Sequence, residues 1–158
     1  MRPGPRTHAA NARVIAVIGA GACDAATAAQ AREVGRRLAE RGCVVVTGGL
    51  GGVMEAASRG AREAGGRVVG ILPGADPREA NPWVELAIAT GMGDARNAIL
   101  ANTAEAFVAV AGGYGTLSEM AFALKRGKRV VSLHAIAGDV PVERAASAEE
   151  AVSLVLGG

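Results

Sequence analysis

The sequence predicts an α/β protein, a mostly parallel sheet of about six or seven strands with helices on both faces. Three observations carry that expectation. Short β-branched runs alternate along the chain with longer Ala-rich amphipathic segments, the pattern of repeated strand–helix units. Half of the 158 residues are apolar but only 3% are aromatic, so the core must be built from Val, Ile, Leu and Ala, as strands buried on both faces require. Glycine clusters stand where the strand-like runs end, which places a row of bare loops along one edge of the sheet.

Residues 1–12, rich in Pro, Gly and Arg, read as a disordered tail, and 13–158 as one domain, long enough to bury a core without disulfide or metal staples. "RVIAVIGAGA" (13–22) is a buried strand running into a loop. Asp24 caps a helix over Ala25–Arg41, whose Ala, Val and Leu share one face, and Gly42 stops it. "CVVVTGG" is the second strand, "GGVMEAASRGAREAGG" a helix between glycines, and "RVVGILPG" the third strand. Pro77 and Pro82 forbid a regular helix in 75–91, where "ELAIATG" holds a short strand. A helix through "GDARNAILANTA", a strand "AFVAVAGG", a helix "TLSEMAFALKRG" from Thr116, a strand "RVVSLHAI" and a last helix in "SAEEAVSLVLGG" complete a Rossmann-like, doubly wound order.

Composition excludes several function classes. A net charge of +2, with acids interspersed among the bases and four aromatics in all, gives neither the footprint nor the stacking platform of a nucleic-acid binder. Cys23 and Cys43 are isolated thiols, with no CxxC or Cys/His cluster, so no metal site is expected. The N-terminus lacks an apolar signal core and no segment has the length and hydropathy of a membrane span, which predicts a cytoplasmic protein.

Three glycine corners lie between a strand and the following helix: Gly19-Ala20-Gly21; the run from Thr47 through Gly48, Gly49, Leu50, Gly51 and Gly52; and Gly112-Gly113-Tyr114-Gly115-Thr116. Glycine lets backbone N–H groups approach a ligand, and the helix that follows adds free donors and the positive end of its dipole, so a phosphate is the natural guest. Tight-turn geometry is the competing explanation for any one corner. Known fingerprints are absent. The first corner lacks the third glycine of G-x-G-x-x-G and no acid ends the second strand, so NAD is not expected; no G-x-x-x-x-G-K-[ST] occurs.

Two charged residues stand near the corners. Glu119, three residues after Thr116, either closes a capping box or faces a phosphate site. Arg96 opens a helix, where a cation opposes the dipole; it either grips an anion or pairs with Asp94 or a neighbour on the surface. The "KRGKR" stretch (125–129) reads as a solvated helix end, His134 as structural, Met54 and Met120 as core, and Trp83 as lining the pocket or as a packing or dimer contact.

In order, "TGGLGGVMEAASRGAREAGG", "GILPG", "NPW", "TGMGDARNAIL" and "AGGYGTLSE" resemble the Lonely Guy superfamily of Rossmann-like proteins. Within it they are most similar to the short bacterial branch that includes molybdenum cofactor carrier proteins. The resemblance runs from about Val14 to Leu133. It implies binding of molybdenum cofactor or a nucleoside monophosphate by Gly19, Gly21, Gly48, Gly49, Gly51, Gly52, Met92, Arg96, Asn97, Gly112, Gly113, Tyr114, Gly115, Thr116 and Glu119. Enzymatic members carry P-G-G-x-G-T-x-x-E and hydrolyse the N-glycosidic bond of nucleoside 5′-monophosphates with an Arg and the motif Glu, which fall on Arg96 and Glu119. This chain departs from them. Ala111 stands for the proline, and around Arg96 the family's His, Glu and Lys are Asp94, Ala95 and Asn97. The resemblance therefore implies binding first and phosphoribohydrolase activity as the alternative, with a homodimer or higher homo-oligomer as the assembly.

Overall fold

The structure, a computed structural model, describes residues 12–134, 136 and 139–158. The expected tail lies outside the described residues except for Ala12. Seven strands, β1 (Val14–Gly19), β2 (Val44–Thr47), β3 (Arg67–Leu72), β4 (Leu86–Ala89), β5 (Ala106–Val110), β6 (Arg129–Ser132) and β7 (Glu143–Arg144), form one sheet in the order β4-β3-β2-β1-β5-β6-β7. Every neighbouring pair is parallel. The helices are α1 (Ala25–Glu40), α2 (Val53–Glu63), α3 (Arg96–Thr103), α4 (Tyr114–Lys125) and α5 (Ala148–Val155).

The two-residue period of the strands sorts the core into two layers. Ile15 and Val17 of β1 face α1, α2 and α5 together with Val34, Leu38, Ala57 and Val152. Ala16 and Ile18, one residue out of phase, face α3 and α4 with Leu100, Phe107 and Met120. Asp24 caps α1 as expected, accepting the Thr27 N–H at 2.8 Å, and the buried set Ala31, Val34, Gly35 and Leu38 repeats the i, i+3, i+4, i+7 spacing of one helical face. α1 and α2 cross so closely that a Cβ on Gly35 would lie 2.0 Å from the Ala57 carbonyl oxygen.

Several boundaries differ from expectation. β6 ends at Ser132; beyond it the Leu133 N–H donates to the Ala109 oxygen at 2.8 Å and Ile136 makes an isolated bridge with Gly112, and the two-residue β7 is too short to carry a periodic signal. α3 is preceded by a 3₁₀ turn over Gly93–Ala95. The solvated-end reading of 125–129 fails at Lys128: its ammonium donates to the Ala101 carbonyl and to those of Asn102 at 3.0 Å and Ala104 at 2.6 Å. All three of its donors therefore close the carboxyl end of α3, where helix carbonyls lack internal partners.

Candidate functional site

The chain's first half builds outward from β1 on one side and its second half on the other, so β1 and β5 are neighbours across the reversal of strand order. In open parallel sheets that reversal opens a crevice beyond the strands' carboxyl ends. A cleft of about 350 Å³ lies there, lined by Gly19, Ala20 and Gly21 from the β1 corner, Gly113, Gly115, Thr116 and Glu119 from α4 and its approach, Asp94, Arg96 and Asn97 from α3 and the 3₁₀ turn before it, and Met54 from α2.

The third corner supplies backbone donors. α4 starts at Tyr114 with Gly113 as a cap that makes no side-chain hydrogen bond, and the helix's first internal bond runs from the Leu117 N–H to the Gly113 oxygen at 3.0 Å. The N–H groups of Tyr114, Gly115 and Thr116 thus have no carbonyl partner within the helix. The helix begins two residues before the expected start, which places Thr116 and Glu119 inside it. The capping box does not form, and Glu119 is a buried side chain, 7% exposed.

Arg96 is buried as well, 9% exposed, and the surface pairing with Asp94 does not occur. Its Nη1 donates to Asn97 Oδ1 and stands 3.9 Å from Glu119 Oε2, while its Nε is buried without any hydrogen-bond partner among the described residues. An unpartnered buried donor of a charged group costs about 1–3 kcal/mol or more, and the guanidinium that carries it lines the cleft. Room for the guanidinium comes from Gly48, where a Cβ would fall 2.5 Å from Arg96 Nη2. The Glu119 carboxyl is pushed up to about 7, chiefly by burial and against the opposing attraction of Arg96.

The remaining candidates sit elsewhere. Gly49, Gly51 and Gly52 do not line the cleft; their corner is tied to the first corner by the Val53 N–H, which donates to the Ala20 oxygen at 3.0 Å, and to the NPW segment by the Asn81 N–H, which donates to the Gly49 oxygen at 2.9 Å. Gly112 lies beneath Thr116. Met92 and Tyr114 are 52% and 84% exposed and do not line the cleft. Trp83 lines a separate groove of about 520 Å³ between α1 and α2, with the Arg59 guanidinium 5.3 Å from its ring. Met54 is buried as expected and also lines the cleft; its position directly after the second corner is the signal for that second role. Ala111, at the end of β5, adopts φ 52°, the described non-glycine residue with a positive φ, and its oxygen accepts the Ala20 N–H at 3.2 Å, joining the first corner to the third. No group of three or more His, Cys, Asp or Glu side chains is placed to hold a metal among the described residues.

Known proteins share this fold and layout. The molybdenum cofactor binding protein of Rippkaea orientalis superposes with a TM-score of 0.83 at 35% identity, covering 92% of this chain and 96% of that one. The molybdenum cofactor carrier protein of Chlamydomonas reinhardtii gives 0.79 at 37% identity, with the same coverage. In sequence, an uncharacterized protein of Archaeoglobus fulgidus is 53% identical over 119 residues, 75% of this chain and 78% of its own length. The cytokinin riboside 5′-monophosphate phosphoribohydrolase LOG of Oryza sativa is 40% identical over 92 residues, and the match takes in 56% of this chain but 38% of that protein. Residues 12–155 match the model of the SLOG cluster4 family, and the chain belongs to that family.

Proposed function

We propose that the cleft between β1, α3 and α4 binds the phosphate of a small organic ligand, molybdenum cofactor or a related nucleotide, and that the protein binds or carries it. The carrying observation is Arg96: a buried guanidinium whose Nε has no partner, at the mouth of an uncapped helix and under two glycine corners. The cleft's volume of about 350 Å³ falls in the range of small-molecule sites. The similarity to molybdenum cofactor binding and carrier proteins over 92% of the chain supports the cofactor as ligand. Incubation with molybdenum cofactor or AMP, followed by equilibrium binding on wild type and Arg96→Met, tests the reading. Wild type is expected to retain ligand and the variant to bind at least ~10-fold more weakly, the loss of a charged hydrogen bond. Equal binding by both, or retention no better than by a control protein, would refute it.

The second reading is phosphoribohydrolase activity, favoured by one observation: Glu119 faces the cleft beside Arg96 with its carboxyl pushed up to about 7, in the range of a working acid or base. Arg96 would fix the phosphate while Glu119 met the positive charge developing on the ribose. Release of free base from AMP, abolished in Glu119→Gln, would establish it. The backbone at Ala111 weighs against it. Its φ of 52° is closed to proline, so the corner differs from the proline-led motif of the enzymatic relatives. Self-association is part of the proposal: Leu86 and Ile88, 57% and 43% exposed on β4, leave an apolar strip on the sheet face that α3 and α4 leave bare.

A further inference from the structure

Arg96 and Glu119 raise a question that anion binding alone leaves open. A site for negative charge holds its own carboxylate, buried, 3.9 Å from the guanidinium that would grip the ligand. Among the described residues no hydrogen bond to another side chain or to the backbone holds that carboxylate, and it lines the cleft. Two negative groups cannot both remain ionised against one guanidinium in so dry a place, since like charges at such range disfavour each other's ionised form.

We propose that Glu119 is the cleft's internal counter-ion, and that an arriving oxyanion takes its place on Arg96 while the carboxylate takes up one proton from solvent and donates it in a hydrogen bond to the anion. This rests on the ligand-binding reading above and names its ligand class: an oxyanion that accepts a hydrogen bond from a neutral acid, bound together with a proton. The balance is simple. One solvent proton joins a Glu119 carboxylate oxygen, no bond of the ligand breaks, and Arg96 remains charged throughout.

The surroundings leave Glu119 as the group that responds. Arg96 faces it from α3. Asp94, from the 3₁₀ turn, is the other ionisable side chain lining the cleft, and it is exposed to solvent. The linings contributed by β1, its corner and α2, namely Gly19, Ala20, Gly21 and Met54, carry no ionisable group. β5 brings apolar residues alone, and Arg129 of β6 is engaged with Glu143 at 2.7 Å. Burial already favours the neutral acid, so the proton is acquired at little cost near neutrality. A neutral Glu119 in the complex also cannot stabilise a cationic ribose, which separates a carrier from a hydrolase by charge state.

The test is anion affinity against pH, using inorganic phosphate and sulfate as probes on the full chain; sulfate does not titrate between pH 6.5 and 8.5 and so reports the protein's proton alone. Wild type is expected to bind sulfate about 20-fold more weakly at pH 8.5 than at 6.5, the fall that follows from losing one required proton. Calorimetry in buffers of different ionisation heat is expected to show uptake of nearly one proton at pH 8. Glu119→Gln, an isosteric amide that still donates, is expected to bind sulfate with no such slope and to match or exceed the wild type at pH 8.5. A pH-independent wild type, or a variant with the same slope, overturns the proton-linked exchange while leaving anion binding at Arg96 in place. If neither probe nor AMP binds at any pH, or Arg96→Met binds them as well as wild type, the ligand-binding reading falls and this inference falls with it.

Discussion

Replacing Glu119 with Gln should change the pH dependence of folding by an amount the structure fixes. The carboxyl has an ordinary value of 4.5 and stands at about 7 in the folded protein. Below pH 4.5 it is protonated in both states and contributes nothing to the difference. Between 4.5 and 7 the unfolded chain has released its proton and the folded protein has not, so stability declines as pH rises; above 7 the whole cost is present. At roughly 1.4 kcal/mol per pH unit the cost is about 3 kcal/mol. The amide cannot ionise and escapes it. Urea unfolding of wild type and Glu119→Gln at pH 4.5, 6, 7 and 8 should therefore show a gap that widens in the variant's favour by about 3 kcal/mol across the series. In thermal melts the same change corresponds to a relative shift of about 6–12 °C for a chain of this size. Other titrating groups act on both proteins and cancel in the difference. Parallel stability curves would refute the assignment of a buried Glu119 whose neutral form the fold favours.

Lys128→Met should lower stability by about 1–3 kcal/mol in urea unfolding, because three carbonyls at the end of α3 lose their donor; unchanged stability would mean that water replaces the ammonium freely. Gly35→Ala should cost about 1–3 kcal/mol or more by the same measurement, since the added carbon would meet the Ala57 carbonyl at 2.0 Å and force α1 from α2.

Much of this architecture could be read from the sequence, for reasons visible in particular residues. Asp24 and Gly42 bracket α1 with opposite cap chemistries, and the β-branched runs at 14–18, 44–46 and 67–72 leave little choice but buried strands. The start of α4 lies two residues ahead of where its sequence points, because Thr116 and Glu119 have the spacing of a capping box and only the fold shows that Gly113 ends the loop without one. β7 was invisible because its two residues gain their strand geometry from β6 rather than from their own pattern. At the site, Arg96 and Glu119 were each suspected, but their juxtaposition is made by the packing of α3 on α4, and burial decides between cap, surface pair and site. The three donors of Lys128 are likewise satisfied by carbonyls 24 to 27 residues away, a distance over which sequence pattern carries no signal.

The left-handed backbone at Ala111 limits which residues this corner can accept. A proline ring holds φ near −65°, so exchanging Ala111 for proline would demand a rotation of about 115° from its present 52° and would drag the carbonyl away from the Ala20 amide. A single codon change cannot carry this corner across to the proline-led form; the neighbouring loop must first be remodelled to release that bond.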